Sequence, residues 1–280
     1  MDIGQVLFVV WRESFEALLV ISIIYAWIKC HPDARNGMKF LWGGVSLGVI
    51  ASVLLALLIY GVFNFLDDAS QSLFMILMEM LACILIVQTV YWMNNKHGIS
   101  MKSKIESEIK CNIEHHNWWG VALIIVIVIA REGSEIVVFL SSFIMSLTST
   151  NASKFFMEVA GGVLVAILTL YIFLLTSRFM SWRIFFKVTG VVLLFLALSL
   201  LLKAVEESLN LLIQFDFFIP EFLIYPAWNT VALLDDSGVT GNFISSFFAY
   251  RSQPAWLSVI TFIIYWIVVS TLFVWNKKRA

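Results

Sequence analysis

GQVLFVVWRESFEALLVISIIYAWI, residues 4–28, is a long apolar run interrupted near its middle by a charged motif, R-E-x-x-E. A second apolar run, residues 118–147, carries the same motif near its own middle. A charged side chain near the centre of a bilayer costs at least about 3 kcal/mol even on lenient insertion scales, so two matched clusters indicate a function that offsets this cost. Cation binding is the obvious candidate. The charged residues are Arg12, Glu13 and Glu16 in the first run and Arg131, Glu132 and Glu135 in the second.

The composition predicts an all-α, polytopic membrane protein. Of 280 residues, 61% are hydrophobic and 13% are charged. Several apolar runs exceed the roughly 20 residues that a helix needs to cross a bilayer core. The first run is not a cleaved signal, because it lacks a basic leading region and carries charge at its middle. Seven transmembrane helices are predicted, at 4–28, 38–63, 72–93, 118–147, 154–178, 184–213 and 255–275.

Lysine and arginine residues predict the orientation of these helices. Those between helices 1 and 2, 3 and 4, and 5 and 6 and in the C-terminal tail all fall on one side, whereas only Lys154 and Arg251 fall on the other. By the positive-inside rule the N-terminus lies outside and the C-terminus in the cytoplasm. The near-neutral net charge of −1 hides this asymmetry and gives no indication of nucleic-acid binding. Seven tryptophans lie near predicted helix ends, as interfacial anchors do: Trp42, Trp92, Trp118, Trp119, Trp182, Trp256 and Trp275.

The motif spacing predicts an inverted repeat within a single membrane domain, residues 1–280. Arg12 precedes the pair Gly43-Gly44 by 31 residues, and Arg131 precedes Gly161-Gly162 by 30. Because three helices separate the two copies, the halves have opposite orientations, a plan that places a transporter's binding site near the midplane. The predicted repeats are residues 1–93 and 118–213, with a seventh helix, 255–275, outside them.

The residue types in the motif indicate a site for a hard cation. Residues three and four apart share a helix face, so each motif forms one compact patch. Facing each other, four carboxylates and two guanidinium groups carry a net charge of about −2. Carboxylate oxygens suit Fe, Mn or Mg, and the absence of Cys and His at this depth disfavours copper or structural zinc. The arginines would hold the carboxylates by bidentate pairing. The alternative is that each motif is a buried ion pair that locks helices together.

The motifs resemble those of the high-affinity iron permeases, the oxidase-dependent iron transporters that include the fungal permease and the bacterial EfeU type. Length and loop pattern fit the bacterial branch. The resemblance implies iron uptake across the bacterial inner membrane, with Glu13, Glu16, Glu132 and Glu135 as metal-handling residues and Arg12 and Arg131 supporting them. It also implies a periplasmic iron-binding protein and a ferroxidase or peroxidase-like partner. Further similar stretches are His115-His116-Asn117-Trp118, Ala130-Arg131-Glu132-Gly133, Phe186-Lys187-Val188-Thr189 and Ala249-Tyr250-Arg251-Ser252-Gln253-Pro254.

In one respect the chain departs from this family. Relatives often place a glutamate near the outer start of helix 3, where this chain has Met75, although Glu79 lies one turn deeper on the same face. Two roles for Glu79 remain open, one as a residue of the ion path and one as a structural carboxylate.

Other charged residues are candidates for the ion path. Lys203 and Glu207 are spaced to pair, with Glu206 adjacent, as a structural ion pair or as part of the path. Asp235 and Asp236 are expected in the outer loop, and His115 and His116 at the cytoplasmic mouth; in each place solvated or interfacial residues are the simpler interpretation.

Three alternatives to an iron permease remain at this stage. One is a transporter of Mn or Pb. The second is a membrane di-metal carboxylate oxidase, an enzyme that would normally use E-x-x-H motifs. The third is a scaffold protein, which leaves six buried charges unexplained. A transporter without enzyme activity or bound cofactor, carrying Fe²⁺ or Fe³⁺ as substrate, is the prediction. No G-x-x-x-x-G-K-[ST] motif is present, so ATP coupling would need another chain.

The basic-residue asymmetry makes the topology testable. We expect a cysteine placed at Lys104 to react only from the cytoplasmic side and one placed at Asp236 only from outside. Labelling intact cells with a membrane-impermeant maleimide, before and after permeabilisation, measures this. Reaction of both positions from one side would eliminate the seven-helix topology.

Overall fold

The computed structural model describes residues 3–30, 37–94, 118–145, 152–176, 182–218, 220–232, 234 and 239–279. This part of the chain is helical, with strand-like pairing confined to one antiparallel bridge between Pro226 and Ala255. The long helices are α1 (Ile3–Cys30), α2 (Gly37–Asn64), α3 (Asp68–Asn94), α4 (Trp118–Met145), α5 (Ala152–Thr176), α6 (Trp182–Gln214) and α9 (Trp256–Arg279). Two short helices, α7 (Glu221–Ile224) and α8 (Val239–Phe248), lie between α6 and α9.

Helix length and composition make the chain a multi-pass membrane protein. The bounds of the seven long helices fall within four residues of the predicted ranges. Five of them, α2, α3, α5, α6 and α9, are long and apolar enough to cross a bilayer. Helices α1 and α4 are equally long, but each carries three charged residues near its middle. Their insertion across the membrane stays a prediction.

Helix α6 lies at the centre of the bundle and α2 at its periphery. The α6 side chains Leu193, Leu196 and Leu198 are at most 1% exposed. On α2, by contrast, Leu57 and Leu58 are more than 60% exposed. In a bilayer such an apolar outer surface contacts lipid tails, so burial of leucine does not drive α2 onto its neighbours.

Glycines bring α2 against α4. A methyl group added at Gly48 would lie 2.7 Å from Cβ of Ile129, and one added at Gly44 would lie 3.1 Å from Cβ of Ile125. Small residues allow this approach of two helix backbones, which is the usual source of packing energy between helices in a membrane. The contact positions increase together along both helices, so α2 and α4 run parallel.

Helices α1 and α5 form a second parallel pair. A methyl group at Gly162 would lie 2.9 Å from Cβ of Val10, and Trp11 Nε1 donates a hydrogen bond of 3.0 Å to Thr169 Oγ1. Each predicted half therefore packs its second helix on the first helix of the other half. Helices α3 and α6 run antiparallel, since Val90 lies beside Gly190 while Glu79 lies beside Lys203.

The segment between α6 and α9, expected from the sequence as a long loop, contains α7 and α8. Helix α8 packs against α1 and α6: the rings of Phe247 and Phe8 lie 5.9 Å apart, and Ser199 Oγ donates to the carbonyl of Ser245. Ala249 ends α8 with a φ of 56°, a left-handed conformation that favours glycine. At 4 and 10 residues, these helices are too short for hydrophobic periodicity to reveal them.

The glycine contact between α2 and α4 predicts the effect of a matched pair of substitutions. Gly48→Leu should prevent close packing, because its Cβ would overlap Ile129. Gly43→Leu is the control, since no heavy atom lies within 4 Å of a Cβ added there and leucine favours helix. Thermal unfolding in detergent should show a lower midpoint for Gly48→Leu alone. Equal midpoints for the two variants would contradict this packing.

Candidate metal centre

Packing of α1 against α4 brings the two charged motifs together. Glu13, Glu132 and Glu135 each offer a carboxylate oxygen, and these three oxygens lie within 4.8 Å of one another. Two oxygens on opposite sides of one ion, each about 2.0–2.4 Å from it, lie up to about 4–5 Å apart. The spacing therefore accommodates a single hard cation. Both motifs contribute to the group.

The first motif is buried and held by its own arginine. Arg12 and Glu13 are 3% and 4% exposed. Arg12 Nη1 donates a hydrogen bond to Glu13 Oε1, and Arg12 Nη2 lies 2.9 Å from Glu16 Oε1. A planar guanidinium suits such a fork, because its donors diverge in fixed directions. Within the described part of the chain the second oxygen, Glu13 Oε2, is buried without a hydrogen bond and so is available to a ligand.

The second motif has the same residues in a different arrangement. The Arg131 side chain is 47% exposed and reaches Glu135 with one atom, Nε, which lies 3.3 Å from Oε1. Its guanidinium carbon lies 5.3 Å from the centroid of the Trp92 ring. Glu132 makes no hydrogen bond or ion pair among residues whose positions are described. Of the three grouped carboxylates, Glu132 is therefore the one that no described residue holds by a hydrogen bond or ion pair.

Glu16 differs from the other three predicted metal residues. The oxygens that lie together belong to Glu13, Glu132 and Glu135, whereas Glu16 is paired with Arg12. Sequence spacing placed Glu16 on the same face as Glu13, as observed. Arg12 pairs with Glu13 as well, so spacing along one helix does not determine which of two neighbouring carboxylates joins the group from the partner helix.

Helix α3 contributes a residue to this centre that the sequence reasoning missed. Thr89 Oγ1 donates a hydrogen bond of 3.3 Å to Glu135 Oε2, so Glu135 has a partner on each oxygen. The sequence contained a signal, since Gln88-Thr89 is a polar pair in an apolar helix. Polar side chains inside membrane helices often bond across to a neighbouring helix.

A second charged cluster lies between α3 and α6. Glu79 is 1% exposed, and Lys203 Nζ donates a hydrogen bond of 2.6 Å to its Oε1. The pair expected from spacing, Lys203 with Glu207, is present but longer, at 3.9 Å. Glu206 pairs instead with Arg251 Nε at 3.1 Å. The residues suggested by sequence thus lie together, with Glu79 as the principal partner of Lys203.

The contact of Lys203 with Phe143 shows where this cluster lies along α4 relative to the metal centre. Lys203 Nζ lies 5.9 Å from the centroid of that ring. Phe143 follows Glu135 by eight residues on α4, which corresponds to about 12 Å along a helix axis. The second cluster therefore lies on the C-terminal side of the second motif. The other candidates, Asp235, Asp236, His115 and His116, fall outside the described residues.

Comparison with known proteins gives matches over nearly the whole chain. The Iron permease FTR1 family matches residues 4–276. A protein of Archaeoglobus fulgidus named as uncharacterized is 26% identical over 255 residues, 89% of this chain and 86% of its own. The protein named Ferrous iron permease EfeU of Yersinia pestis is 25% identical over 277 residues, 95% and 91% of the two chains. Its namesake in Escherichia coli strain 536 is 24% identical over 268 residues, 94% and 92%. No solved structure matches the chain.

The burial of Glu79 predicts a non-additive effect on stability. Lys203→Met leaves a buried carboxylate without its cation, and an unsatisfied buried polar group costs about 1–3 kcal/mol. The double variant Glu79→Gln/Lys203→Met removes both charges and should recover part of that loss. Thermal midpoints of the two single variants and the double variant measure the coupling. Strictly additive losses would show that the pair contributes no interaction energy.

Proposed function

The chain belongs to the iron permease FTR1 family, and we propose that it moves Fe ions across the membrane into the cytoplasm. The observation that carries this proposal is the convergence of Glu13, Glu132 and Glu135, from two motifs far apart in sequence, at the middle of two otherwise apolar helices. Ionisable groups at such depth mark ion pathways in membrane proteins.

The carboxylates are the proposed binding groups for the transported ion. Glu13, Glu132 and Glu135 contact it, Glu16 lies one turn away and shares Arg12 with Glu13, and the two arginines limit repulsion among the carboxylates. Oxygen ligands suit Fe²⁺ and Fe³⁺ alike. The ion is substrate rather than cofactor, and the protein is a permease without enzyme activity. The same ligands also suit Mn²⁺, which makes transport of another cation the alternative.

An inverted repeat is the proposed architecture. Seven helices cross the membrane, repeat 1–93 and repeat 118–213 have opposite orientations, and the N-terminus lies outside the bacterial inner membrane. Two features support this arrangement. Helix α2 pairs in parallel with α4 as α1 does with α5, and equivalent glycines, Gly44 and Gly162, make the two contacts. Such a relation between halves places a substrate site at their interface.

The charged residues on either side of the centre are the proposed path. Asp235 and Asp236 would collect cations outside, the cluster with Glu79, Glu206 and Glu207 would receive them next, and His115 and His116 would lie at the cytoplasmic exit. Burial of Glu79 beside Lys203 supports the middle step, since a mobile ammonium can yield its place to a metal cation. A periplasmic iron-binding protein and a ferroxidase or peroxidase-like protein are the proposed partners.

Carboxylate substitutions test the function. Uptake of radioactive iron should fall by more than about tenfold in each of three variants, Glu13→Gln, Glu132→Gln and Glu135→Gln. Loss of a residue that only hydrogen-bonds to a metal ligand commonly lowers metal affinity or activity by about 10–100-fold, and loss of the ligand itself should cost at least as much. The assay uses cells lacking other iron importers. Asp68→Asn, an exposed carboxylate at the start of α3, is the control and should transport normally. Excess Mn²⁺ in the same assay identifies the preferred cation.

Arginine substitutions extend this test. Arg12→Lys should impair uptake more than Arg131→Lys, because Arg12 holds two glutamates and one ammonium cannot reproduce that fork. Normal uptake by two of the three glutamine variants, with membrane insertion intact, would refute the carboxylate site.

A further inference from the structure

The two arginines of the repeated motif have different partners. Arg12 is 3% exposed and lies between its own two glutamates. Arg131 is 47% exposed, touches Glu135 through Nε alone and lies over the ring of Trp92. The charged residues and their spacing are the same in the two motifs, so the different pairing reflects their surroundings. For Arg131 these include residues of α3.

The position of Arg131 matters because a guanidinium competes with a metal ion. Its five donors can pair with two carboxylates at once, and Arg12 forms ion pairs with both Glu13 and Glu16. Were Arg131 to pair with Glu132 in that manner, the oxygens of Glu132 would no longer be open to a cation. In the structure Glu132 has no hydrogen bond or ion pair with any described residue. These oxygens stay open as long as the guanidinium of Arg131 is held away from them.

Two residues of α3 contact the second motif. Thr89 and Trp92, three apart, share one face of α3, and Arg131 and Glu135, four apart, share one face of α4. Thr89 bonds Glu135, and Trp92 lies under the guanidinium of Arg131. Trp92 was expected to be an interfacial anchor because it lies near a helix end. Its ring contacts the charged motif as well.

We infer that Trp92 is a positioning residue, which holds the Arg131 guanidinium away from Glu132 and thereby keeps the second motif open to a cation. This inference rests on the proposed function. Among side chains, Trp offers the strongest ring face to a cation. Without that ring, Arg131 keeps its contact with Glu135 and turns its guanidinium towards Glu132, to which opposite charge attracts it. The transported ion must then displace it, and binding weakens.

Metal binding to the purified protein in lipid nanodiscs tests the inference. Titration calorimetry with anaerobic Fe²⁺, and with Mn²⁺ as a second probe, gives the dissociation constants. Trp92→Leu should raise Kd by about three- to tenfold, the range of a cation–π contact. Trp92→Phe keeps a ring face and should stay within about twofold of wild type. Trp42→Leu, which removes a 53% exposed tryptophan on α2, is the matched control and should bind normally.

A double-variant comparison separates positioning from a merely structural role. In an Arg131→Gln background there is no guanidinium to hold, so adding Trp92→Leu should leave Kd unchanged. A threefold or greater loss there would show that Trp92 acts through the fold, and wild-type affinity in the single variant Trp92→Leu would also overturn the inference.

If Trp92→Leu yields no folded protein, Trp92→Phe decides, since a loss as large as tenfold with a ring still present contradicts a cation–π role. Failure of the wild type to bind either metal would instead refute the proposed function, and with it this inference.

Discussion

The cost of placing charge inside an apolar helix bundle governs this structure. Arg12 and Glu13 are almost wholly buried, and each is tolerable only because the other lies beside it. Their pairing lies within α1, and the second motif of α4 brings Glu132 and Glu135 to the same point. If the motifs formed only structural ion pairs, each carboxylate would be neutralised by its arginine and no group of open oxygens would remain. Here one oxygen from each of three carboxylates remains close to the others, and Glu13 carries an oxygen, Oε2, that is buried with no hydrogen bond from the described residues.

The second charged cluster follows the same physical rule with different parts. Glu79 is more deeply buried than any charged residue of the two motifs, yet its partner Lys203 is 44% exposed on a flexible stem. A compact, mobile ammonium and a rigid, forked guanidinium are not equivalent counter-ions. Arginine thus pairs with Glu13 and Glu16 of the first motif, whereas in the second cluster lysine pairs with Glu79 and Glu207 and arginine with Glu206.

Sequence alone predicted the helices and the identity of the charged residues, because runs of apolar side chains and charges within them are local signals. The membrane-protein class, the long helices and family membership agree with that prediction. Three features depended on tertiary packing instead. Thr89 reaches Glu135 from another helix, Lys203 prefers Glu79 over its own helical neighbour Glu207, and Arg131 lies on Trp92 rather than repeating the pairing of Arg12. Spacing within one helix determines which partners are possible, whereas neighbouring helices determine which are chosen.

The pairing of helices that lie far apart in sequence has a consequence for biosynthesis. Helix α1 packs on α5, which begins about 120 residues after α1 ends, and α2 packs on α4, which begins about 50 residues after α2 ends. At about 5–20 residues per second, the charged middle of α1 waits roughly 10–30 s for the end of α5. During that interval Arg12 and its two glutamates can neutralise one another only within their own helix. In the predicted topology, where α1 crosses the membrane, the ion pairs within the first motif let the nascent helix remain inserted until α4 and α5 are synthesised.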